Sequence, residues 1–323
     1  MTQIRFGVDL GGTKIEIIGI DPRRAPTVDN VVYQKRIDTP KGDYEATLTA
    51  ITELVLAAEK TLSKEGTVGL GFPGSLSHKT GRVKNANSTW LIDQDLRGDL
   101  QQRLNRHVAM ANDANCFALS EALEGAAKGA EVVFGVILGT GCGGGVVVNG
   151  AILKGINGIA GEWGHNPLPW LELGEPKLPC YCGLTGCNET FLSGSALEAH
   201  YTLRAHSDAA ISLTDADESH ELNNRPGLVK TAQEIVELAK QGDLIALQLL
   251  DDYTIWLAKG LASVINLLDP DVIVLGGGMS NIQSLYTDIP KIWGQWVFND
   301  QVSTRLLPPK FGDASGVRGA AWL

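Results

Sequence analysis

The sequence predicts an α/β protein built from two similar lobes that face each other across a cleft. Two observations carry that expectation. An apolar strand that ends in a glycine turn and returns as a second strand occurs twice, at Gly11-Gly12-Thr13 and at Gly139-Thr140-Gly141. A third apolar run ends in Gly276-Gly277-Gly278. The 323 residues suffice for one large domain or two of ordinary size. With 44% hydrophobic and 20% charged residues, the chain has the balance of a soluble protein with a real core.

The elements follow in order. Residues 4–10 and 14–20 read as strands around the first turn, and residues 31–37 as a third. This strand–turn–strand opening is an antiparallel hairpin, unlike the strand-to-helix start of a dinucleotide-binding unit. Residues 43–62 have helical periodicity, with Leu48, Ile51, Val55 and Ala58 on one face. Residues 67–72 and 108–111 read as strands, the second running into a helix over 114–127. Residues 132–138 and 145–148 form the second hairpin, closed by the Asn149-Gly150 turn signal. Residues 155–194 are rich in Gly, Pro and Cys and lack a period; the polar stretch 205–226 reads as a surface insertion. Helices over 229–240 and 244–268 precede a buried strand at 271–275.

The net charge of −10 weighs against a nucleic-acid partner, which needs a cationic surface. No apolar run approaches the roughly 20 residues that span a bilayer, so no membrane partner is expected. No signal peptide is read at the N-terminus, and the expected compartment is the cytoplasm. Of five cysteines, three cluster, which fits a metal site better than a disulfide framework.

Glycine turns let a ligand approach the backbone and can present successive N–H groups to phosphate oxygens. Read alone, each turn is better explained as a tight structural turn. Together, Gly11, Gly12, Thr13 and Lys14, then Gly139, Thr140, Gly141 and Gly143, then Gly276, Gly277 and Gly278, point to a nucleotide. Asp9 is placed to hold hydrated Mg²⁺ beside those phosphates. No turn fits the Walker A or dinucleotide pattern.

Asp113 lies in Asn112-Asp113-Ala114-Asn115 at a strand end and helix start, where a helix cap is the simpler reading. Capping and catalysis are compatible, because a helix N-terminus favours the carboxylate that a general base needs. His165, Cys180, Cys182 and Cys187 make a four-ligand set for structural Zn²⁺. Cys116 and Cys142 read as small packed residues. Glu162 and Glu189 flank the metal ligands; each alone could be an exposed loop residue, but on a metal-ordered loop they can accept hydrogen bonds from sugar hydroxyls. Asn85, Asn87 and Ser88 could add further contacts.

Taken together, Asp9-Leu10-Gly11-Gly12-Thr13-Lys14, Ala111-Asn112-Asp113-Ala114-Asn115, Gly139-Thr140-Gly141, Gly161-Glu162-Trp163-Gly164-His165 and Cys180-Tyr181-Cys182-Gly183-Leu184-Thr185-Gly186-Cys187 resemble the ROK family of repressors and kinases over nearly the whole chain. Val83-Lys84-Asn85-Ala86-Asn87-Ser88-Thr89-Trp90 and His165-Asn166-Pro167-Leu168-Pro169-Trp170 look most like its bacterial fructokinase and manno(fructo)kinase members, as does Asp269-Pro270-Asp271 with the run to Ser280.

The resemblance implies a two-lobed actin-like ATPase (ribonuclease H-like) fold and ATP-dependent 6-phosphorylation of a free hexose, fructose first and mannose next. The alternatives are a glucokinase, an N-acylhexosamine kinase or a non-catalytic sugar sensor. It makes Asp113 the base and places sugar near Asn112, Glu162, His165 and Glu189. ATP, Mg²⁺ and structural Zn²⁺ are the expected cofactors, and a homodimer is possible in this family. The lobes are expected at 1–115 with about 305–323, and at 116–304. A repressor would need a helix-turn-helix before the first strand, which begins here at Ile4. Asn188 departs from the apolar residue commoner before that glutamate, which bears on local packing.

Overall fold

The structure, a computed structural model, describes residues 3–27, 30–86, 88–212 and 230–323. Three strands open it: β1 (Ile4–Leu10), β2 (Lys14–Ile20) and β3 (Val31–Asp38), antiparallel in turn. Helix α1 (Tyr44–Leu62) follows, capped by the Asp43 carboxylate on the Ala46 N–H. Its buried face includes Leu48, Ile51, Val55 and Ala58, the stripe its period predicts. Strand β4 (Gly66–Phe72) then lies parallel to β1. A short hairpin, β5 (Ser75–Leu76) and β6 (Val83–Lys84), leads through α2 (Leu96–Leu104) to β7 (Val108–Asn112), parallel to β4. The first sheet thus runs β3-β2-β1-β4-β7.

Helix α3 (Asp113–Leu123) carries the chain to β8 (Val132–Leu138), β9 (Cys142–Val148) and β10 (Ala151–Ile152), again antiparallel in turn. After a long irregular segment come α4 (Glu189–Leu192), α5 (Gly194–Ser212), α6 (Ala232–Lys240) and α7 (Leu244–Leu268). Strand β11 (Val272–Gly276), α8 (Leu285–Ile292), β12 (Arg305–Leu307) and α9 (Ser315–Ala321) finish the chain. The second sheet runs β10-β9-β8-β11-β12, with β11 parallel to both β8 and β12. Its order and strand directions repeat those of the first sheet, so the two glycine hairpins are matching parts of two actin-like lobes.

Each lobe has its own core. Phe6, Ile15, Ile17, Leu48, Ile51 and Phe72 fill the first. Phe134, Phe191, Tyr253, Trp256, Leu257 and Trp293 fill the second. Helices α3 and α9 join them. Helix α9 lies on β1 and β4, where a Cβ on Gly7 would stand 2.2 Å from the Val317 carbonyl oxygen and one on Gly69 1.9 Å from that of Ala320. Helix α3 lies on β8 and β9, where a Cβ on Gly135 would stand 2.7 Å from Cβ of Ala118. The two helices meet where Gly319 touches the Cys116 backbone.

A buried polar network fastens this crossing. Arg318 on α9 donates to Glu124 Oε2 at 2.8 Å and to Asn30 Oδ1 at 2.7 Å, and Asn30 donates to Glu124 Oε1 at 3.0 Å. Glu121 on α3 accepts from the Ser315 hydroxyl at 2.6 Å, from the Lys310 N–H at 3.1 Å and from the Ala126 N–H at 2.8 Å. Arg318 Nε is buried without a partner, so the network is only partly filled; removing one member of a buried ion pair costs roughly 3–5 kcal/mol.

The fold departs from the sequence reading in several places. The helix expected over 114–127 begins at Asp113 and ends at Leu123, and Glu121 caps the turn that follows it. The strand expected at 145–148 begins at Cys142, which puts Gly143 in the ladder opposite Ile137. Part of the stretch read as a surface insertion is helical, because α5 runs to Ser212; residues 213–226 lie outside the described residues. So does residue 229, and the helix expected from there is α6. The chain's return to the first lobe comes later than residue 305, since Arg305–Leu307 pairs with β11 and it is α9, after it, that packs on β1 and β4. Among the described residues no helix is long and apolar enough to cross a membrane.

Candidate active site

The carboxyl-side ends of β1, β4 and β8, the start of α3 and the 312–316 segment enclose a cleft of about 460 Å³ between the lobes. Asp9, Gly11, Gly12, Lys41, Ser88, Trp90, Asp113, Ile137, Gly277 and Asp313 line it, among others. Three of these are carboxylates, and Lys41 is the cation on the wall among the described residues. Lys41 and Asp313 were not singled out by the sequence, because each sits outside the strands and α-helices in a segment that the fold turns inward, and Trp90 entered only as the end of the 83–90 run.

Asp9 occupies the penultimate position of β1, paired with Glu16 on one side and Gly71 on the other. Its carboxyl is pushed up to about 7, first by burial and then by Asp113 and Glu16, against the pull of Arg36. Arg36 and Gln34 themselves hold Glu16. Two acids facing each other in one cleft resist joint ionisation, which is the environment a divalent cation relieves.

Asp113 is the first residue of α3. Its Oδ1 accepts the Ala114 N–H at 2.8 Å, and the Asn112 amide oxygen accepts the same N–H at 2.8 Å. The Asn112 amide nitrogen donates to the Gly74 carbonyl at 3.2 Å, so Asn112 is engaged as a cap at both ends. Burial pushes the Asp113 carboxyl up, as does nearby Glu162, while the Ala114 N–H and Asn112 pull it down. Glu162 is exposed, and among the described residues its carboxylate makes no hydrogen bond, although its backbone bonds to Ile159 and His165.

The glycine turns divide. In the first, the Gly11 N–H donates to the Lys14 carbonyl at 2.9 Å; in the second, the Gly139 N–H donates to the Gly141 carbonyl at 3.0 Å. Neither uses its next two N–H groups, those of Gly12 and Thr13 or of Thr140 and Gly141, on any described residue. Such a pair is what an anion needs. Gly11, Gly12 and Gly277 are on the cleft wall; Thr13, Lys14, Gly139, Thr140, Gly141, Gly143, Gly276 and Gly278 are not. Lys14 is exposed at the start of β2, paired with Asp38. Gly143 is in β9, and Gly276 ends β11 against the Phe117 ring. Gly139 and Gly278 face open space. Asn87 lies outside the described residues, while Ser88 is buried at the cleft and Asn85 has φ +54°.

The expected metal ligands converge. One donor atom each from His165, Cys180, Cys182 and Cys187 lies within 4.8 Å of all the others. Cys180 Sγ is 3.6 Å from His165 Nδ1, and Cys182 Sγ is 3.7 Å from Cys187 Sγ. A tetrahedron of zinc bonds about 2.3 Å long has edges of about 3.8 Å, close to these two separations, so the donor set is compatible with the ion. All five cysteines are free thiols. The second His165 nitrogen, Nε2, lies 2.9 Å from the Tyr181 hydroxyl instead of pointing free into the cleft.

Glu189, the first residue of α4, accepts the Cys142 N–H on Oε2 at 3.0 Å. Asn188 is buried, donates to the Trp163 carbonyl at 2.8 Å and leaves its Oδ1 without a partner. That hydrogen bond is the local reason a polar residue is tolerated there.

A family model described as ROK family matches residues 5–323. An N-acetyl-D-glucosamine kinase of Photobacterium profundum is 37% identical over 326 residues, covering 98% of each chain. Its counterpart in Vibrio cholerae is 37% identical over 323 residues, with the same coverage. Among solved structures, a ROK hexokinase of Thermus thermophilus matches with a TM-score of 0.79 at 31% identity, over 99% of this chain and 97% of that one. A ROK family glucokinase of Streptomyces griseus, in complex with glucose and AMPPNP, matches at 0.71 and 27%, over 98% of both. The relatives named here do not support the likeness to fructokinases drawn from residues 83–90, 165–170 and 269–280. With matching lobes, a shared cleft and a family model spanning almost its full length, the chain belongs to the ROK family.

Proposed function

We propose that the protein is an ATP-dependent kinase that phosphorylates a free hexose at its 6-hydroxyl. The observation that carries this reading is the pairing of Asp113 and Asp9 in one interlobe cleft, beside glycine turns with unused N–H groups. Asp113 accepts the 6-hydroxyl proton as that oxygen bonds to the γ-phosphorus, and the bond from phosphorus to the bridging oxygen of ADP breaks. The raised Asp113 pKa makes its ionised form a stronger base. Asp9 would hold Mg²⁺ through water, and that ion supplies charge neutralisation on the phosphates. Gly11, Gly12 and Gly277, with the 139–143 turn, hold the phosphates; Lys41 meets them from the first lobe. Glu162, His165, Glu189 and Asn112 border the sugar end. His165, Cys180, Cys182 and Cys187 would hold structural zinc.

N-acetyl-D-glucosamine replaces fructose as the leading acceptor, because the curated relatives described above are named N-acetyl-D-glucosamine kinases. Identity of 37% leaves room for a changed pocket, so fructose stays among the acceptors to be tested. Both sugars offer a primary 6-hydroxyl, and pocket shape discriminates between them. A coupled ADP-release assay over N-acetyl-D-glucosamine, fructose, mannose and glucose tests the proposal. A kcat/KM highest for N-acetyl-D-glucosamine supports the leading reading, one highest for fructose reverses the order, and no turnover on any hexose defeats the kinase assignment.

A further inference from the structure

The 139–143 turn does not stand alone. Three hydrogen bonds tie its back to the segment that carries the metal ligands. The Trp163 indole N–H donates to the Gly143 carbonyl at 3.3 Å, the Cys142 N–H donates to Glu189 Oε2 at 3.0 Å, and the Gly194 N–H donates to the Gly139 carbonyl at 2.7 Å. Backbones touch there as well, since a Cβ on Gly164 would stand 2.1 Å from the Cys142 carbonyl oxygen. Of these partners, Glu189 alone also has a side-chain contact with a metal ligand. It follows the metal ligand Cys187 by two residues, and its Oε1 lies 3.7 Å from Cys180 Sγ.

We infer that Glu189 is a positioning residue for the nucleotide, joining the Cys/His metal loop to the phosphate turn at Thr140 and Gly141. The inference rests on the kinase reading, in which that turn receives ATP phosphates. The physical argument is preorganisation. The Thr140 and Gly141 N–H groups can hold an anion only if the turn keeps its shape. The Glu189 carboxylate fixes the very next N–H, that of Cys142, through a hydrogen bond to a charged acceptor, among the stronger kinds. Whatever orders the loop around Cys187 orders Glu189, and through it the turn. The loop thereby serves the nucleotide as well as the sugar, and a sugar that contacts Glu189 would brace the ATP site before ATP arrives.

The test measures binding of Mg²⁺·AMPPNP by calorimetry in the absence of any sugar, with zinc content and thermal midpoint measured on every sample. Glu189→Ala is expected to weaken the analogue about tenfold, the scale of one lost hydrogen bond to a charged group. Glu189→Gln keeps an oxygen that can accept the Cys142 N–H and is expected to stay within about threefold of wild type, although it loses the charge that a sugar would feel. Gly141→Ala places a Cβ 2.8 Å from Glu189 Oε2 and is expected to reproduce the Glu189→Ala loss without altering a metal ligand. Wild-type protein stripped of metal by a chelator is expected to lose affinity similarly and to regain it on zinc addition. Unchanged analogue affinity in Glu189→Ala, with zinc content intact, overturns the inference and leaves Glu189 to the sugar alone. A wild type that binds no nucleotide overturns the kinase reading and this inference with it, so the two failures are distinct.

Discussion

Strands β1 and β8 hold the same place in their sheets and begin alike. Phe6-Gly7-Val8 and Phe134-Gly135-Val136 occupy matching positions, each glycine lying under a crossing helix, α9 in the first lobe and α3 in the second. One residue later they part. Asp9 and Ile137 occupy the same step, and both line the cleft. Each turn beyond closes on one hydrogen bond from its first glycine and leaves two N–H groups unused. The lobes are equivalent as scaffolds and unequal as chemistry: both offer backbone donors, but only β1 supplies a carboxylate at this step. The crossing helices differ likewise, for α3 enters the cleft with Asp113, whereas α9 brings Gly316.

The sharpest way to break this division of labour is at Asp113. Asp113→Asn keeps the side-chain oxygen that caps α3 but cannot take a proton. Its kcat is expected to fall by about 10³-fold, with sugar binding by calorimetry largely retained. Turnover close to wild type would remove Asp113 from the chemistry and reduce it to a helix cap.

The next largest effect concerns the joint between the lobes. Arg318→Met leaves Glu124 buried opposite Asn30 with its charged partner gone. Urea unfolding is expected to show a loss of about 3–5 kcal/mol, and a Glu124→Leu, Arg318→Met double variant should recover part of it. A loss under about 1 kcal/mol would mean that water reaches this site and the network does not fasten the crossing.

The matched glycines sharpen the comparison further. A Cβ on Gly7 meets the Val317 carbonyl oxygen at 2.2 Å and the Ala321 nitrogen at 2.6 Å, all backbone of α9. One on Gly135 meets Cβ and Cα of Ala118 at 2.7 and 2.8 Å. Gly7→Ala must displace a helix and its polar groups, while Gly135→Ala meets carbon. Both should destabilise, by about 1–3 kcal/mol, with Gly7→Ala the worse. Equal losses would indicate that α9 yields as readily as α3.

Much of this arrangement was legible in the sequence, and the reason is locality. Both hairpins, α1 and α7 are set by strand runs, glycine turns and a 3.6-residue period within the segment itself. The four metal ligands could be read from their types and spacing, because zinc chemistry admits few donor sets. Lys41 and Asp313 could not be, since they reach the cleft only through the packing of segments distant in sequence. The double engagement of Asn112, the hydrogen bond from Cys142 to Glu189 and the contact of His165 with Tyr181 are tertiary facts as well. Glycine runs in sequence also overstate the nucleotide wall: Gly143 and Gly276 belong to strands, and Gly276 is glycine because the Phe117 ring lies where a Cβ would go.

The smallest effect tests the step where the lobes part. Burial and Asp113 push the Asp9 carboxyl up to about 7 from its ordinary 3.8, so the folded protein holds that proton more tightly than the unfolded chain. The resulting stabilisation is complete below about 3.8 and is lost as pH rises through about 7. Asp9→Asn is neutral at every pH and escapes the loss. Without metal or nucleotide, the variant's melting temperature should therefore exceed that of wild type by about 2 °C at pH 8, a modest figure because Asp9 keeps some exposure to the cleft and solvent screens it, and the gap should close toward pH 4. Mg²⁺ with AMPPNP should reverse the order, since the ionised Asp9 then faces a cation and the asparagine has no charge to offer it. Matching on the other lobe gives the control: Ile137→Asn changes the same step of β8 and should create no such pH-dependent gap. If the Asp9→Asn gap is independent of pH, the Asp9 carboxyl takes up its proton in the folded protein as it does in the unfolded chain, and the carboxylate that distinguishes β1 from β8 is not held in check by its neighbour across the cleft.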